Sequence, residues 1–286
     1  MTEGTWLEAT GYRIRTMSRA EVALTLDWAA AEGWNPGLHD ATPFHVADPA
    51  GFLIGLLDGE PAATISVVRY PGDLAFLGCY IVSPELRGLG FGRRIWQAGL
   101  AQLEGCVVGL DGVVAQQANY RRSGFVHAWP NFRFGGKVDG RADLALLDAR
   151  LVPFDHLLEL DLAMFQARRP GFLAAWLAMP DSTSLALVED GSLRGLATLR
   201  RCRHGHKIGP LYAPSRAAAE RLLLALAATV PGEELFLDVP DPNAPAMAMA
   251  ESLGLTVRFE TARMYKGSAP ALPLDRIYGI TTFELG

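Results

Sequence analysis

Arg87-Gly88-Leu89-Gly90-Phe91-Gly92 follows an apolar run, Ala75 to Val82, and precedes an amphipathic pattern carrying Ile95, Trp96, Leu100 and Leu103. A strand, a glycine-rich turn and a helix N-terminus together present unpaired backbone N–H groups to an anion, usually a phosphate. Glycines at alternate positions let the main chain approach that anion with no side chain in between. The loop therefore predicts a phosphorylated cofactor. A P-loop would end in Gly-Lys-Ser/Thr, but Arg93 and Arg94 follow Gly92 here. A dinucleotide turn needs a third glycine three residues after the second; those places hold Arg93 or Ile95. Asp111 lies about 20 residues on, where a ribose-binding acid would fall, so a nucleotide-dependent oxidoreductase stays open as an alternative.

A second group with chemical potential is Tyr120, in Tyr120-Arg121-Arg122-Ser123-Gly124-Phe125. A phenol with a pKa of about 10 is protonated at neutral pH and can donate to a departing thiolate. Pro84-Glu85-Leu86-Arg87-Gly88-Leu89-Gly90-Phe91-Gly92 resembles the acyl-CoA loop of the GNAT superfamily of N-acetyltransferases, Arg/Gln-x-x-Gly-x-Gly/Ala after a strand. Tyr120 to Phe125 resembles that family's Tyr-x-x-x-Gly-Phe signature. One position departs from the pattern: where the family often carries Asn, this chain has Val113, and Asn119 sits beside the tyrosine instead.

The resemblance implies direct acyl transfer from acetyl-CoA to a small-molecule amine in a ternary complex. The pyrophosphate would rest on the amides of Arg87, Gly88, Leu89, Gly90, Phe91, Gly92 and Arg93. Backbone groups of Tyr80, Ile81 and Val82 would pair with the pantetheine, Val82 would polarise the thioester carbonyl, and Tyr120 would protonate the thiolate. Asp111 ends a strand close to the reaction zone and is a candidate to deprotonate the amine. Asp238 holds the comparable place in the second half of the chain, which favours a structural role such as capping the turn; Glu85, Asp40, His45 or a water chain are the other candidates. The acceptor pocket would use the loop after the first helix: Trp34, Asn35, His39, Asp40, Phe44 and His45. A non-catalytic acyl-CoA-binding regulatory protein is the rival from a different class. Cys79, on the strand that leads to the loop, has an apolar flank and reads as a packed thiol.

The wider chain must position these groups. Its 286 residues, half of them hydrophobic, predict two domains. A net charge of −5 with no basic half gives no expectation of nucleic acid as a partner. The densest basic run, Arg200-Arg201-Cys202-Arg203-His204-Gly205-His206-Lys207, reads as a solvated strand pair turning at Gly205. Cys202-x-His204-x-His206 has no further ligand at zinc spacing, so no metal is expected. Three cysteines in apolar contexts predict reduced thiols and a cytoplasmic setting. Met1 to Trp6 lacks the basic and apolar regions of a leader, and no apolar run reaches the roughly 18 residues that span a membrane. A monomer or homodimer is expected.

Tyr12 to Arg15 alternates as a strand, and Ser18-Arg19-Ala20-Glu21 is a capping box opening a helix to about Glu32. Gly51 to Leu57 and Ala62 to Arg69 form a hairpin around Asp58-Gly59. Cys106 to Leu110 is a strand, a short helix ends at Ser123, and strands lie within Phe125 to Lys137. Gly135 to Gly140 reads as a linker, dividing a catalytic domain, 1–140, from a second domain, 141–286.

The order then repeats: a strand from Leu144 to Val152, helices over Leu157 to Phe165 and around Trp176, a hairpin at Asp190-Gly191, and strands Ile208 to Tyr212 and Leu235 to Val239. Pro84 to Gly124 and Pro214 to Gly254 span the same interval, evidence for two copies of one fold. The copies differ chemically. Ala217, Ala218, Glu220 and Leu222 replace Arg87, Gly88, Gly90 and Gly92, and Ala250 replaces Tyr120. The second copy thus lacks the phosphate turn and the acid, and reads as a wall of the substrate site. Trp34 to Gly37, Leu110 to Tyr120, Ile208 to Leu211 and Tyr278 to Gly286 resemble the YitH-like tandem GNAT group over nearly the full length. That implies an α+β (α/β) fold: two tandem GNAT domains, each a mixed, mostly antiparallel sheet flanked by helices.

Overall fold

The computed structural model of the chain describes residues 11–286; the Met1 to Trp6 stretch read for leader features lies outside them. The first half runs β1 (Tyr12–Thr16), α1 (Arg19–Ala31), α2 (Ala41–Ala47), β2 (Phe52–Leu57), β3 (Glu60–Arg69), β4 (Leu74–Val82), α3 (Phe91–Gln102), β5 (Val107–Val113), α4 (Gln117–Arg122) and β6 (Val126–Lys137). The second half runs β7 (Leu147–Asp148), α5 (Phe154–Phe165), α6 (Pro170–Leu177), β8 (Ser182–Glu189), β9 (Ser192–Arg201), β10 (His206–Tyr212), α7 (Arg216–Ala227), β11 (Glu234–Pro240), α8 (Ala244–Ser252), β12 (Thr256–Lys266) and β13 (Ile277–Gly279). The repeat of element order is therefore present in the fold.

Local chemistry sets many of these boundaries. The Glu21 carboxylate reaches back to the Ser18 N–H at 2.8 Å and starts α1. Asp58 and Gly59, both at positive φ, turn the β2–β3 hairpin, and Asp190 and Gly191 do the same for β8–β9. Asn243 caps α8 by accepting from the Ala246 N–H at 3.0 Å. Two expectations need correction. The region from Leu144 to Val152 contributes only the two-residue β7, because Asp148 accepts from the Arg150 N–H and bends the chain into a 3₁₀ turn. Gly135 and Gly136 are not a linker but part of β6. A Cβ on Gly135 would lie 2.8 Å from both the Phe236 ring and Arg258 Cγ, so the glycine marks a close approach inside the sheet.

The described strands form one sheet in the order β1-β2-β3-β4-β5-β12-β6-β11-β10-β9-β8-β7, with β13 beside β10. Each half is completed by the last long strand of the other: β12 pairs with β5, and β6 pairs with β11. The two exchanged strands pair antiparallel in the middle, with Arg133 opposite Phe259 and Arg263 opposite Trp129. These pairs map onto each other at the repeat interval, which makes the centre a pseudo-twofold axis. Side chains alternate across the sheet as strand geometry demands. Phe52, Ile54 and Phe76 join α1, α2 and α6, whereas Leu53, Ala75 and Leu77 join Ile95 and Trp96 of α3. Among the described residues no helix is long and apolar enough to cross a membrane.

The basic run at 200–207 differs from its solvated expectation. It is the β9–β10 turn, but Arg200 and Lys207 are buried. Arg200 Nε donates to Asp40 Oδ1 at 3.0 Å, and Lys207 Nζ donates to the Asn35 carbonyl at 2.9 Å. These cations dock the loop after α1 onto the second half. Cys202, His204 and His206 face different surroundings: the thiol is buried, His204 bonds Glu234, and His206 is buried in β10.

Candidate active site

Strands β4 and β5 pair in parallel from Leu74 opposite Val107 to Leu77 opposite Leu110, and there the pairing stops. The cause is a bulge in β4. Ser66 faces Gly78 and Thr64 faces Ile81, so β4 has one residue more than β3 over that stretch, and Cys79 takes a φ of 47°. The Thr64 hydroxyl donates to the Cys79 carbonyl at 3.0 Å and holds the bulge. Beyond it the strands splay into a wedge. The Ser83 N–H donates back to Ala62 on β3, so the Val82 N–H beside it points to the open edge.

The glycine turn closes one end of this wedge. Gly88 and Gly90 have φ of 80° and 89°, with nothing near a Cβ at either, so the conformation requires glycine and leaves the space in front free. Gly90 caps α3, whose first N–H groups, Phe91 to Arg93, have no partner inside the helix. Gly92 serves a different need: a Cβ there would lie 2.6 Å from Tyr80 Oη and 2.9 Å from Val82 Cγ2, so it lets α3 pack on β4. Arg87 bonds the Val82 carbonyl through Nε at 3.0 Å and pairs with Glu32. Tyr80, Ile81, Val82, Arg87, Gly88, Gly90, Gly92 and Arg93 line one groove of about 550 Å³, together with Trp34 and Tyr120.

Tyr120 stands at the inner end of that groove. Its ring stacks on Trp96 with centroids 5.4 Å apart, and on the other side a Cβ at Gly112 would meet it at 2.6 Å. Burial pushes its phenol above the ordinary value, so it stays protonated at neutral pH. Past Tyr120 the groove opens into a narrow cleft of about 40 Å³, bordered on the shared side by Trp34, Tyr80, Val113 and Tyr120. Gly78, Cys79 and Asp111 line it at the wedge apex, and Phe259, Thr261, Phe283 and Glu284 form the far wall. Burial also raises the Cys79 thiol, which leaves it un-ionised and matches a packed role.

Trp34 and Asp111 thus lie with Tyr120, but the other expected acceptor contacts lie elsewhere. Asn35 exchanges bonds with the His204 backbone, donating to its carbonyl and accepting from its N–H at 2.9 Å each. Asp40 is fully buried between Arg200 and the Gly37 N–H. His45 sits on α2 outside the cleft, His39 pairs with Asp181, and Phe44 is core beside Phe52. Glu85 is exposed and accepts from the Ser83 hydroxyl. The cause is the docked loop: its polar groups satisfy the second half, and only Trp34 is left facing the cleft. Asp111 is itself engaged. Its oxygens accept from Arg263 Nε and Nη2 and from Asn131 Nδ2. Burial raises its carboxyl and Arg263 opposes the rise. Sequence reasoning did not find Phe259, Thr261, Phe283 or Glu284, whose approach to the cleft depends on strand exchange and on the last turn of the chain.

In the second half the equivalent wedge is closed. Strands β10 and β11 pair only from His206 to Ile208, and β13 then pairs with β10. The Ile280 N–H donates to the Asp238 carbonyl at 2.9 Å, so the chain's own C-terminal segment fills the space.

The chain is 30% identical over 274 residues to the holothin acyltransferase of Pseudoalteromonas sp. (strain SANK 73390), covering 94% of this chain and 92% of that protein. Models of the acetyltransferase (GNAT) family and of the acetyltransferase (GNAT) domain match residues 19–125 and 157–279. The chain belongs to the GNAT family and is an acyltransferase. The oxidoreductase alternative falls with that membership. An uncharacterized N-acetyltransferase of Bacillus subtilis (strain 168), YitH, is 27% identical over 221 residues, covering 75% of this GNAT chain and 78% of its own. A putative acetyltransferase structure from Pyrococcus horikoshii shares the fold over 100% of this chain and 99% of its own, with a TM-score of 0.82 at 21% identity. A tandem GNAT protein from the clavulanic acid biosynthesis pathway matches 91% of this chain and 100% of its own, with a TM-score of 0.62 at 12% identity.

Proposed function

We propose that the protein transfers an acetyl group from acetyl-CoA to the amine of a small molecule by direct attack in a ternary complex. The observation that carries this reading is the open wedge between β4 and β5, with the glycine turn at one end and Tyr120 at the other. The N–H groups from Arg87 to Arg93 receive the pyrophosphate. The free edge of Tyr80, Ile81 and Val82 pairs with the pantetheine as an added strand would. The Val82 N–H donates to the thioester carbonyl oxygen, a contribution on the order of 3 kcal/mol in the transition state. Tyr120 protonates the departing thiolate. The second half acts as the wall of the acceptor site, and the unpaired cysteines fit the reducing cytoplasm.

Thiol release from acetyl-CoA tests this reading. Release that requires an added amine, with no acyl-enzyme detected by mass spectrometry, supports direct transfer; an acetylated protein intermediate contradicts it. Holothin, the compound in the relative's name, is one acceptor to include.

A further inference from the structure

The cleft beyond Tyr120 has a far wall that belongs wholly to the second half of the chain: Phe259 and Thr261 on β12, and Phe283 and Glu284 on the C-terminal segment. Glu284 is 4% exposed. Other buried carboxylates are each held by an arginine: Asp40 by Arg200, Asp111 by Arg263, Asp161 by Arg169 and Asp238 by Arg133. Glu284 makes no such pair within 4.0 Å among the described residues and accepts no side-chain hydrogen bond there. Thr261, another residue of the same lining, has a buried Oγ1 without a partner.

A carboxylate that lines a cleft with no donor of its own among the described residues calls for one that arrives with a ligand, because buried polar groups are otherwise paired. The neighbouring cations do not supply it. Lys207 on β10 donates to the Asn35 carbonyl, and Arg133 on β6 to Asp238 and the Trp34 carbonyl. Arg200 on β9 holds Asp40, and its free nitrogens lie outside the cleft lining. Aromatic side chains at Trp34, Tyr80, Tyr120, Phe259 and Phe283 share the lining with aliphatic ones and with the Arg263-held Asp111.

We infer that this cleft of about 40 Å³ receives the amino end of the acceptor, a small primary amine whose flat aromatic body is too large to enter it whole and stays at its mouth, and that Glu284 accepts the proton the amine loses. The inference rests on the reading of the adjoining groove as the acetyl-CoA site. The nitrogen lone pair forms the C–N bond while the C–S bond breaks and its electron pair stays on sulfur. The sulfur takes the Tyr120 proton, the N–H proton passes to Glu284, and exchange with solvent resets both groups. Burial raises the Glu284 carboxyl, Asp40 adds to the rise, and Lys207, Arg133 and Arg200 oppose it. The Cys79 thiol on β4 faces the same carboxylate and is un-ionised. A base raised toward neutrality is better matched to an ammonium-derived proton than an ordinary carboxylate.

The experiment measures thiol release with acetyl-CoA and a fixed panel: benzylamine, 2-phenylethylamine and tyramine against ethanolamine and spermidine. Turnover of the aromatic amines is expected. With the best of them, Glu284→Gln lowers kcat about 100-fold and removes the acidic limb of the pH profile, whereas acetyl-CoA affinity by calorimetry is unchanged. Glu284→Asp restores part of the rate. An unchanged rate and profile in E284Q overturns the role of Glu284. Turnover of none of the aromatic amines by an enzyme that binds acetyl-CoA overturns the acceptor class. Failure of the wild-type enzyme to bind acetyl-CoA strikes the underlying cofactor reading instead. Should E284Q fail to fold, Thr261→Val carries the test: a raised KM for the amine at constant acetyl-CoA affinity supports the subsite, and an unchanged KM overturns it.

Discussion

Asp111 presents both carboxylate oxygens to Arg263, Oδ1 to Nε and Oδ2 to Nη2, at 2.8 Å each. Asp238 is held in the same way by Arg133, at 2.6 and 2.7 Å, one pseudo-symmetric step away. In both cases the arginine comes from the strand exchanged by the other half. The two pairs therefore lock the exchange, which gives Asp111 a structural function in the half that holds the open groove.

Removing the charge at Asp111 leaves Arg263 buried and unpaired. Asp111→Asn is expected to lower stability by about 3 kcal/mol, the cost typical of breaking one side of a buried pair. Asp238→Asn is expected to cost a similar amount despite its place in the half without an open groove. Urea unfolding of both variants checks this, and an unperturbed midpoint in either denies the locking role.

Tyr120→Phe keeps the ring stacked on Trp96 and removes the proton donor. A kcat lower by about 100-fold with unchanged acetyl-CoA affinity is expected. The pH dependence follows from the sign of the shift. An acid works while protonated, and burial raises this phenol, so its loss of function moves to higher pH. The wild-type kcat should show no alkaline limb from Tyr120 below pH about 10, the ordinary phenol value. A limb near neutrality that vanishes in Tyr120→Phe would contradict this.

Gly78 lies where the Glu284 backbone carbonyl packs onto β4, and a Cβ there would overlap it. Gly78→Ala is expected to push the C-terminal segment out of the cleft. Acetyl-CoA affinity should stay constant while the KM for the amine rises several-fold. Steady-state kinetics beside calorimetry would show whether the two effects separate; equal losses in both would mean the groove itself had been distorted.

Much of the groove is legible from local patterns. The apolar run into Val82, the alternating glycines and Tyr120 sit within one stretch of chain, and their geometry follows from strand, turn and helix rules. The repeat interval likewise exposes the duplicated element order. Three things are not local. Gly135 and Gly136 look like linker residues, yet they are glycine because Phe236 and Arg258 pack over the sheet centre. Asn35 and Asp40 look like acceptor contacts, yet their polar groups bond His204 and Arg200, far along the chain. Glu284 lies in a stretch that resembles the tandem GNAT group, yet nothing local marks it as lining the cleft, which it reaches only because the C-terminal segment crosses from one half to the other. Strand exchange and tail docking depend on residues more than a hundred positions apart, which periodicity cannot read.

Among the described residues one wedge is open, between β4 and β5, and its counterpart between β10 and β11 is filled by the chain's own C-terminal segment, so one acyl-CoA site per chain is expected. Isothermal titration of the wild-type protein with acetyl-CoA tests it directly. One site per chain is predicted, abolished by Gly90→Glu, which places a carboxylate in the phosphate turn at a φ of 89°. Two sites per chain, none, or one that survives Gly90→Glu would contradict it.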